Sequence, residues 1–279
     1  MNQWLSEKQT DNLQLGTKII NELFSDKSLF QDVAVVESAE FGRMLVLDGI
    51  FQTSLKDEFV YHEMIVHVPL LTHPKPKKVL IIGGGDGGSA REALKHQSIE
   101  QLDMVEIDGM VVDVCKQYLP EIAAALINAD ERFNLIIGDG IAHVVAHKNY
   151  YDVIIVDCSD PVGPGEGLFT TAFYQSLQAA LAPDGLFVQQ TESPWYHQQL
   201  IRYIHREIKT IFPVTKMYLA HIPLYPGGMH SFIIGSKQYD PAAANTCSLN
   251  ELRLRYLNCA YFSAAFALPE FVSEMLKYS

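Results

Sequence analysis

No run of basic residues interrupts this chain of 279: Lys and Arg number 21 against 33 Asp and Glu, a formal net charge of −12 with His neutral. Nucleic-acid binders gather positive charge on a face or stripe, so this balance argues against that class. An acidic surface draws cations inward, although net charge alone speaks mostly to solubility. Cysteine is sparse as well. Cys115, Cys158, Cys247 and Cys259 form no CxxC pair and have no paired histidines, which argues against a disulfide framework and a zinc site. Apolar runs stop short of the roughly 18 residues that a membrane span needs. The start, MNQWLSEKQTD, has no basic segment leading into an apolar one, so no secretory signal is read there. A soluble, cytoplasmic protein is expected, with no nucleic-acid or membrane partner.

The acids that are present occupy telling places. Asp157-Cys158-Ser159-Asp160-Pro161 follows the apolar run Val153–Val156, so two carboxylates stand at the carboxyl end of an expected strand, where open α/β sheets hold ligands. Buried charge is costly unless an opposite charge meets it. A further acid, Asp86, sits inside Gly83-Gly84-Gly85-Asp86-Gly87-Gly88, after the apolar run Val79–Ile82. The GxGxxG spacing alone is shared by dinucleotide and adenosyl-cofactor binders. Asp86 separates them: a carboxylate in the loop repels a pyrophosphate and attracts an ammonium or sulfonium. Capping of the following helix is the plainer reading of Asp86. Glu106, about 20 residues on at the next strand end, is placed to bind ribose hydroxyls. Asp139, before Gly140, is placed either to cap a helix or to accept from an exocyclic amine.

Alternating strand and helix signals give the organisation. Val33–Val36, Met44–Leu47 and Ile50–Thr53, with the turn signal Asp48-Gly49, predict a small antiparallel β unit. Asp57 is expected to cap a helix running to about Leu70, and His73–Lys77 reads as a linker. Strands are then predicted at 79–82, 102–107, 133–137, 153–156 and 186–188. Helices are predicted at 89–95, 110–118, 171–181, 195–211 and 264–278. The fold class is α/β: a doubly wound, mostly parallel Rossmann-like sheet over 71–279, preceded by an N-terminal antiparallel β domain with its helix over 1–70.

Together, GGGDGG, Val105-Glu106-Ile107-Asp108, Gly138-Asp139-Gly140 and DCSDPVGPGEGLFT (Asp157–Thr170) resemble the polyamine aminopropyltransferases, most closely the spermidine synthase branch. LDGIFQTSLKDEFVYHEM (Leu47–Met64) and IPLYPGG (Ile222–Gly228) are similar to that family's signatures too, so the resemblance spans most of the chain in order. It implies a methyltransferase-like Rossmann domain and a homodimer or homotetramer. The implied reaction passes the aminopropyl group of decarboxylated S-adenosylmethionine to a diamine, normally putrescine, giving spermidine and methylthioadenosine. No metal or redox cofactor is implied; the adenosyl donor is a co-substrate. Carried onto this sequence, the resemblance makes Asp157 the proton acceptor and Asp86 the anchor for the aminopropyl amine. It puts Glu106 on the ribose, Asp139 and Gly140 on the adenine, and Pro164 and Gln31 on the nucleoside. Gln52, Tyr61, His62, Asp160 and Tyr225 line the amine channel, with Cys158 and Ser159 beside the two aspartates. Cys158, Ser159 and the segment Gly227–His230 vary within the family. Rival readings are a methyltransferase on the same fold, which leaves Asp86 without a purpose, a nicotinamide-dependent oxidoreductase, and a non-catalytic relative that binds polyamines or a protein partner. Cadaverine, agmatine or spermidine as acceptor would need a longer or differently lined pocket.

Overall fold

The structure is a computed structural model that describes residues 3–159, 163–225, 227–246, 249 and 251–277. Five antiparallel strands come first: β1 (Gln3–Thr10), β2 (Leu13–Lys27), β3 (Asp32–Ser38), β4 (Gly42–Leu47) and β5 (Ile50–Ser54), adjacent in sequence order. Asp48 and Gly49 turn β4 into β5 with φ of 50° and 80°, the left-handed pair that a tight hairpin requires. β1 and β2 have no counterpart in the predicted elements. Both are largely exposed, and so carry little of the apolar alternation that betrays a half-buried strand.

Helix α1 (Glu58–Thr72) follows, with every residue buried except Phe59. An element apolar on all sides needs cover on all sides. The helix expected to close the first segment packs instead in the core of the second sheet, against Val79, Ile81, Ile155 and Phe232. Asp57 stands at its N-terminus without capping it. The carboxylate accepts the Ser54 hydroxyl at 2.6 Å and the Leu224 N–H at 2.7 Å, tying β5 to the segment that carries Tyr225.

The second sheet holds β6 (Lys78–Gly83), β7 (Gln101–Glu106), β8 (Phe133–Ile137), β9 (Tyr151–Asp157), β10 (Leu181–Gln190), β11 (Val214–His221) and β12 (Met229–Ser236). Their order is β11-β12-β10-β9-β6-β7-β8, parallel from β10 to β8, with β12 antiparallel to both its neighbours. Around it lie α2 (Gly88–Ala93), α3 (Gly109–Tyr118), α4 (Ala124–Ile127), α5 (Gly140–Ala146), α6 (Thr171–Ala180), α7 (Gln198–Ile211), α8 (Cys259–Ala265) and α9 (Glu270–Lys277). The last predicted helix is therefore two, and Pro269 falls just before α9, where its missing N–H costs nothing. The predicted helix over 195–211 starts only at Gln198. Leu80 and Ile154 face one apolar cluster while Val79, Ile81 and Ile155 face another, all fully buried. Covering such strands on both faces contributes about 1.5–3 kcal/mol per large side chain. Among the described residues no helix is long and apolar enough to cross a membrane.

The chain winds from β6 outward through β7 and β8, then returns to lay β9 on the other side of β6. A crevice opens where the winding reverses, at the carboxyl ends of β6 and β9. The glycine-rich loop and Asp157 both emerge there.

Candidate active site

Close packing of the loop on β9 explains its first two glycines. Gly83 and Gly84 take φ of 83° and 73°, and the Gly84 N–H donates to the Asp157 carbonyl at 2.8 Å. A Cβ on Gly83 would lie 2.1 Å from that carbonyl oxygen, and one on Gly84 3.1 Å from Asp157 Oδ2. The Asp157 side chain is held from two directions: the Tyr61 hydroxyl donates to Oδ1 at 2.7 Å and the Ser89 hydroxyl to Oδ2 at 2.6 Å. Burial raises the Asp157 pKa; His62 opposes that rise, while the Asp86 charge reinforces it. A carboxylate tuned upward in this way is better matched to taking a proton near neutral pH.

Asp86 lines the cleft while holding the start of the following helix. Its Oδ1 accepts the Gly88 N–H at 2.8 Å at the start of α2, and its Oδ2 lies 3.3 Å from His62 Nε2. His62 Nδ1 is 2.6 Å from Glu58 Oε2, one turn back on α1. The ring is 2% exposed. Burial opposes its charge, but Asp86 and Glu58 outweigh burial and hold its pKa well above the ordinary value.

Glu106 turns inward beneath the loop, accepting the Asp108 N–H at 2.9 Å; a Cβ on Gly85 would sit 2.9 Å from its Oε2. Burial, with the charges of Asp108 and Asp157 adding to it, pushes its pKa up to about 7, against the Asp108 and Gly85 N–H groups, which favour the charged form. An unfolded glutamate titrates at about 4.3, so between there and about 7 the folded form binds more protons than the unfolded one. Stability contributed by this site therefore falls as pH rises through that window. We predict a loss of about 4 kcal/mol in ligand-free protein, and a flattened slope in Glu106→Gln, both readable in denaturant unfolding across pH.

Gln31 reaches Asp108 Oδ2 at 3.0 Å from the β2–β3 loop, beside the Ser28 hydroxyl at 2.7 Å. Asp139 caps α5 through the N–H groups of Ile141 (2.8 Å) and Ala142 (3.3 Å), and it also lines the cleft. Gly140 lets the chain pass over Ile82, whose Cγ2 would lie 2.5 Å from a Cβ there. With Val105, Ile107, Ile141 and Leu168 these residues form an apolar slot edged by polar groups, suited to a purine.

On the other side the cleft continues past Gln52, Tyr61, Cys158, Ser159 and Tyr225 into a smaller recess containing Glu7, Gln190, Glu192 and His230. The Tyr225 hydroxyl donates to the Gln52 carbonyl at 2.8 Å. Glu7 Oε2 accepts the Phe51 N–H at 2.6 Å, and Glu192 Oε2 is 3.4 Å from His197 Nδ1. Thus Gln31, Gln52, Tyr61, His62, Asp86, Glu106, Asp139, Gly140, Asp157, Cys158, Ser159 and Tyr225 all meet in one cleft. Asp160 and the side chain of Pro164 lie outside the described residues. Sequence reasoning missed Glu7, Glu58, Ser89, Gln190 and Glu192; His230 ends the segment noted as variable within the family. A signal existed for Gln190 and Glu192, which close the parallel strand next to β9. Glu7, in an unpredicted strand, had none.

Among the described residues no Lys or Arg lines the cleft, and His62 is the one imidazole short of the recess that holds His230. No group of three or more His, Cys, Asp or Glu among them is arranged to hold a metal ion.

Two family models match the chain: a spermine/spermidine synthase domain over residues 58–246 and a spermidine synthase tetramerisation domain over 3–54. The polyamine aminopropyltransferase of Caldicellulosiruptor saccharolyticus is 51% identical over 277 residues, covering 99% of each chain. That of Shouchella clausii is 48% identical, covering 98% of this chain and 99% of its own. A crystal structure of spermidine synthase in complex with the transition-state analogue AdoDATO superposes with a TM-score of 0.96 at 40% identity, over 99% of this chain and 96% of that one. Spermidine synthase from Thermotoga maritima gives 0.94 at 39% identity, over 99% and 95%.

Proposed function

The chain belongs to the spermine/spermidine synthase family, the polyamine aminopropyltransferases, and on that premise we propose that it moves an aminopropyl group from decarboxylated S-adenosylmethionine to putrescine. The observation that carries this reading is a cleft in which Asp86 and Asp157 stand together and which, among the described residues, no lysine or arginine lines. Such a site favours a donor bearing a sulfonium and an ammonium. Opposite charges about 4 Å apart attract by several kcal/mol at intermediate effective dielectric, and desolvation returns part of that.

In the proposed arrangement the adenine fills the slot between Ile107, Ile141 and Leu168, with Asp139 at its edge and Gln31 near the sugar. Glu106 accepts from the ribose hydroxyls. Its charged form does so best, so donor affinity should rise with pH through about 7. Asp86 receives the aminopropyl ammonium. The acceptor nitrogen arrives mostly protonated, since its solution pKa is about 10; the nearby sulfonium favours its neutral form, and that first proton leaves to solvent before attack. Its lone pair attacks the carbon next to sulfur, the carbon–sulfur bond breaks with both electrons going to sulfur, and neutral methylthioadenosine departs. The nitrogen, now bonded to one more carbon, loses a proton to Asp157. Tyr61 and Ser89 keep that carboxylate aimed at the line of attack. The recess with Glu7 and Glu192 is suited to the second ammonium of the diamine. No resident cofactor enters this scheme. Trp4, Leu13 and Ile20, 63%, 42% and 58% exposed on the outer hairpin, offer apolar cover for a homodimer or homotetramer.

Release of methylthioadenosine from decarboxylated donor, measured with a panel of amines, tests the proposal. Putrescine should support the highest kcat/KM. Turnover with another amine alone would move the acceptor assignment, and calorimetric preference for the carboxylated donor would favour a methyltransferase.

A further inference from the structure

Beneath Asp86 runs a line of alternating charges, buried at its start and partly exposed at Arg91 and Lys95, that the transfer reaction does not itself require. His62 bridges Asp86 Oδ2 (3.3 Å) and Glu58 Oε2 (2.6 Å), and the Arg91 guanidinium meets the same Glu58 oxygen at 2.7 Å. Arg91 Nε then pairs with Glu92 at 3.0 Å, and Glu92 holds His67 at 2.9 Å and Lys95 at 2.5 Å. An imidazole can donate from both nitrogens only when protonated, so a ring between two carboxylates is kept cationic. It is also locked in place: a Cβ on Gly88 would fall 2.3–2.5 Å from three of its atoms, and the Tyr61 ring stands edge-on 5.5 Å away.

A donor that retains its carboxylate places that group on the carbon bearing the ammonium, close to whatever holds the ammonium. It would need a cation or several N–H donors there. Within the described lining, His62 is the one side chain able to serve. We propose that Glu58, itself part of the cleft lining, is a specificity-determining residue: it occupies and neutralises the His62 imidazolium, so the described donor pocket offers a carboxylated donor no cationic partner beside Asp86. This inference rests on the aminopropyltransferase reading and assigns part of its donor selectivity to a positioning residue that acts through His62. Arg91 plays a different part. It draws on the same Glu58 oxygen, so removing it leaves Glu58 wholly to the ring.

Calorimetric Kd values for S-adenosylmethionine and its decarboxylated form test the inference in wild type, Glu58→Gln and Arg91→Gln. The ratio of the two affinities should fall about tenfold in Glu58→Gln, mainly through tighter binding of the carboxylated donor, the size expected when one partly buried charge pair is released. Arg91→Gln should keep the ratio or increase it. An unchanged ratio in Glu58→Gln, or equal changes in both variants, overturns the inference, because loss of packing alone weakens both donors in parallel. Should Glu58→Gln fail to fold, NMR of the His62 ring in wild type decides: a ring that stays charged through neutral pH supports the inference, and one that titrates near the ordinary histidine value overturns it. A wild type preferring the carboxylated donor would sink the functional reading itself. Wild-type preference for the decarboxylated donor, kept intact in Glu58→Gln, sinks only the role of Glu58.

Discussion

Asp157→Asn should lose about 10³-fold in turnover, the scale of a positioned general base, while folding normally and binding the donor within a few-fold of wild type. The amide nearly matches the carboxylate in shape. The Tyr61 and Ser89 hydroxyls, at 2.7 and 2.6 Å from its two oxygens, can reorient to donate to or accept from an amide. Burial already works against the charge at this position, so a neutral replacement should leave the thermal midpoint unchanged or raise it. What the variant cannot do is take the proton that the attacking nitrogen must shed. Single-turnover rates with saturating donor and amine measure that step apart from binding. The sign of the pH dependence follows: Asp157 acts as a base only when ionised, so the wild-type rate should climb as pH rises through its raised pKa, and the variant should lose that limb. Near-normal single-turnover rates in Asp157→Asn would remove this residue as the proton acceptor.

Gly83→Ala should be the most disruptive single methyl in the protein. At φ of 83° an alanine pays about 1–2 kcal/mol for the left-handed backbone alone. Its Cβ would then lie 2.1 Å from the Asp157 carbonyl oxygen, an obstacle that no side-chain rotation relieves. Either the ends of β6 and β9 part, costing the Gly84–Asp157 hydrogen bond, or the loop shifts and takes Asp86 with it. The total should reach about 4 kcal/mol, the range of overpacked and strained positions, with donor binding lost. Gly49 supplies the control: its φ is 80°, yet nothing lies within 4 Å of a Cβ there. Gly49→Ala should cost only the backbone share and leave activity intact. Equal losses in the two variants, by denaturant unfolding, would show that contact with the Asp157 backbone is not what matters.

The site was legible wherever a local pattern marks a strand end. Glycines after an apolar run announced the loop, and acids closing three such runs announced Asp86's companions Glu106, Asp139 and Asp157. What escaped reading has a common cause. Ser89, Glu58 and Glu7 serve the cleft through partners distant in the chain, at Asp157, at Arg91 and at the Phe51 N–H respectively. Nothing in a helix start, a helix first turn or an exposed hairpin distinguishes such residues from ordinary polar ones. Asp57 failed in the opposite sense. Its place before a helix suggested a cap, but the nearby Ser54 hydroxyl and the distant Leu224 N–H claimed its oxygens. Local rules assign a polar group its nearest partner; tertiary contacts decide whether it keeps it.

By itself the sequence determined the alternating α/β order, the crevice at the ends of β6 and β9, and the gathering of acids there, because strand burial, glycine conformations and acid placement are local and periodic. Only the tertiary structure decided that α1 leaves the N-terminal sheet for the core of the second one, that β11 and β12 extend that sheet, and that His62 stands between two carboxylates. Those outcomes turn on which surfaces remain to be covered once the parallel strands have assembled, and on charges brought together from separate elements. No stretch of chain carries that information alone.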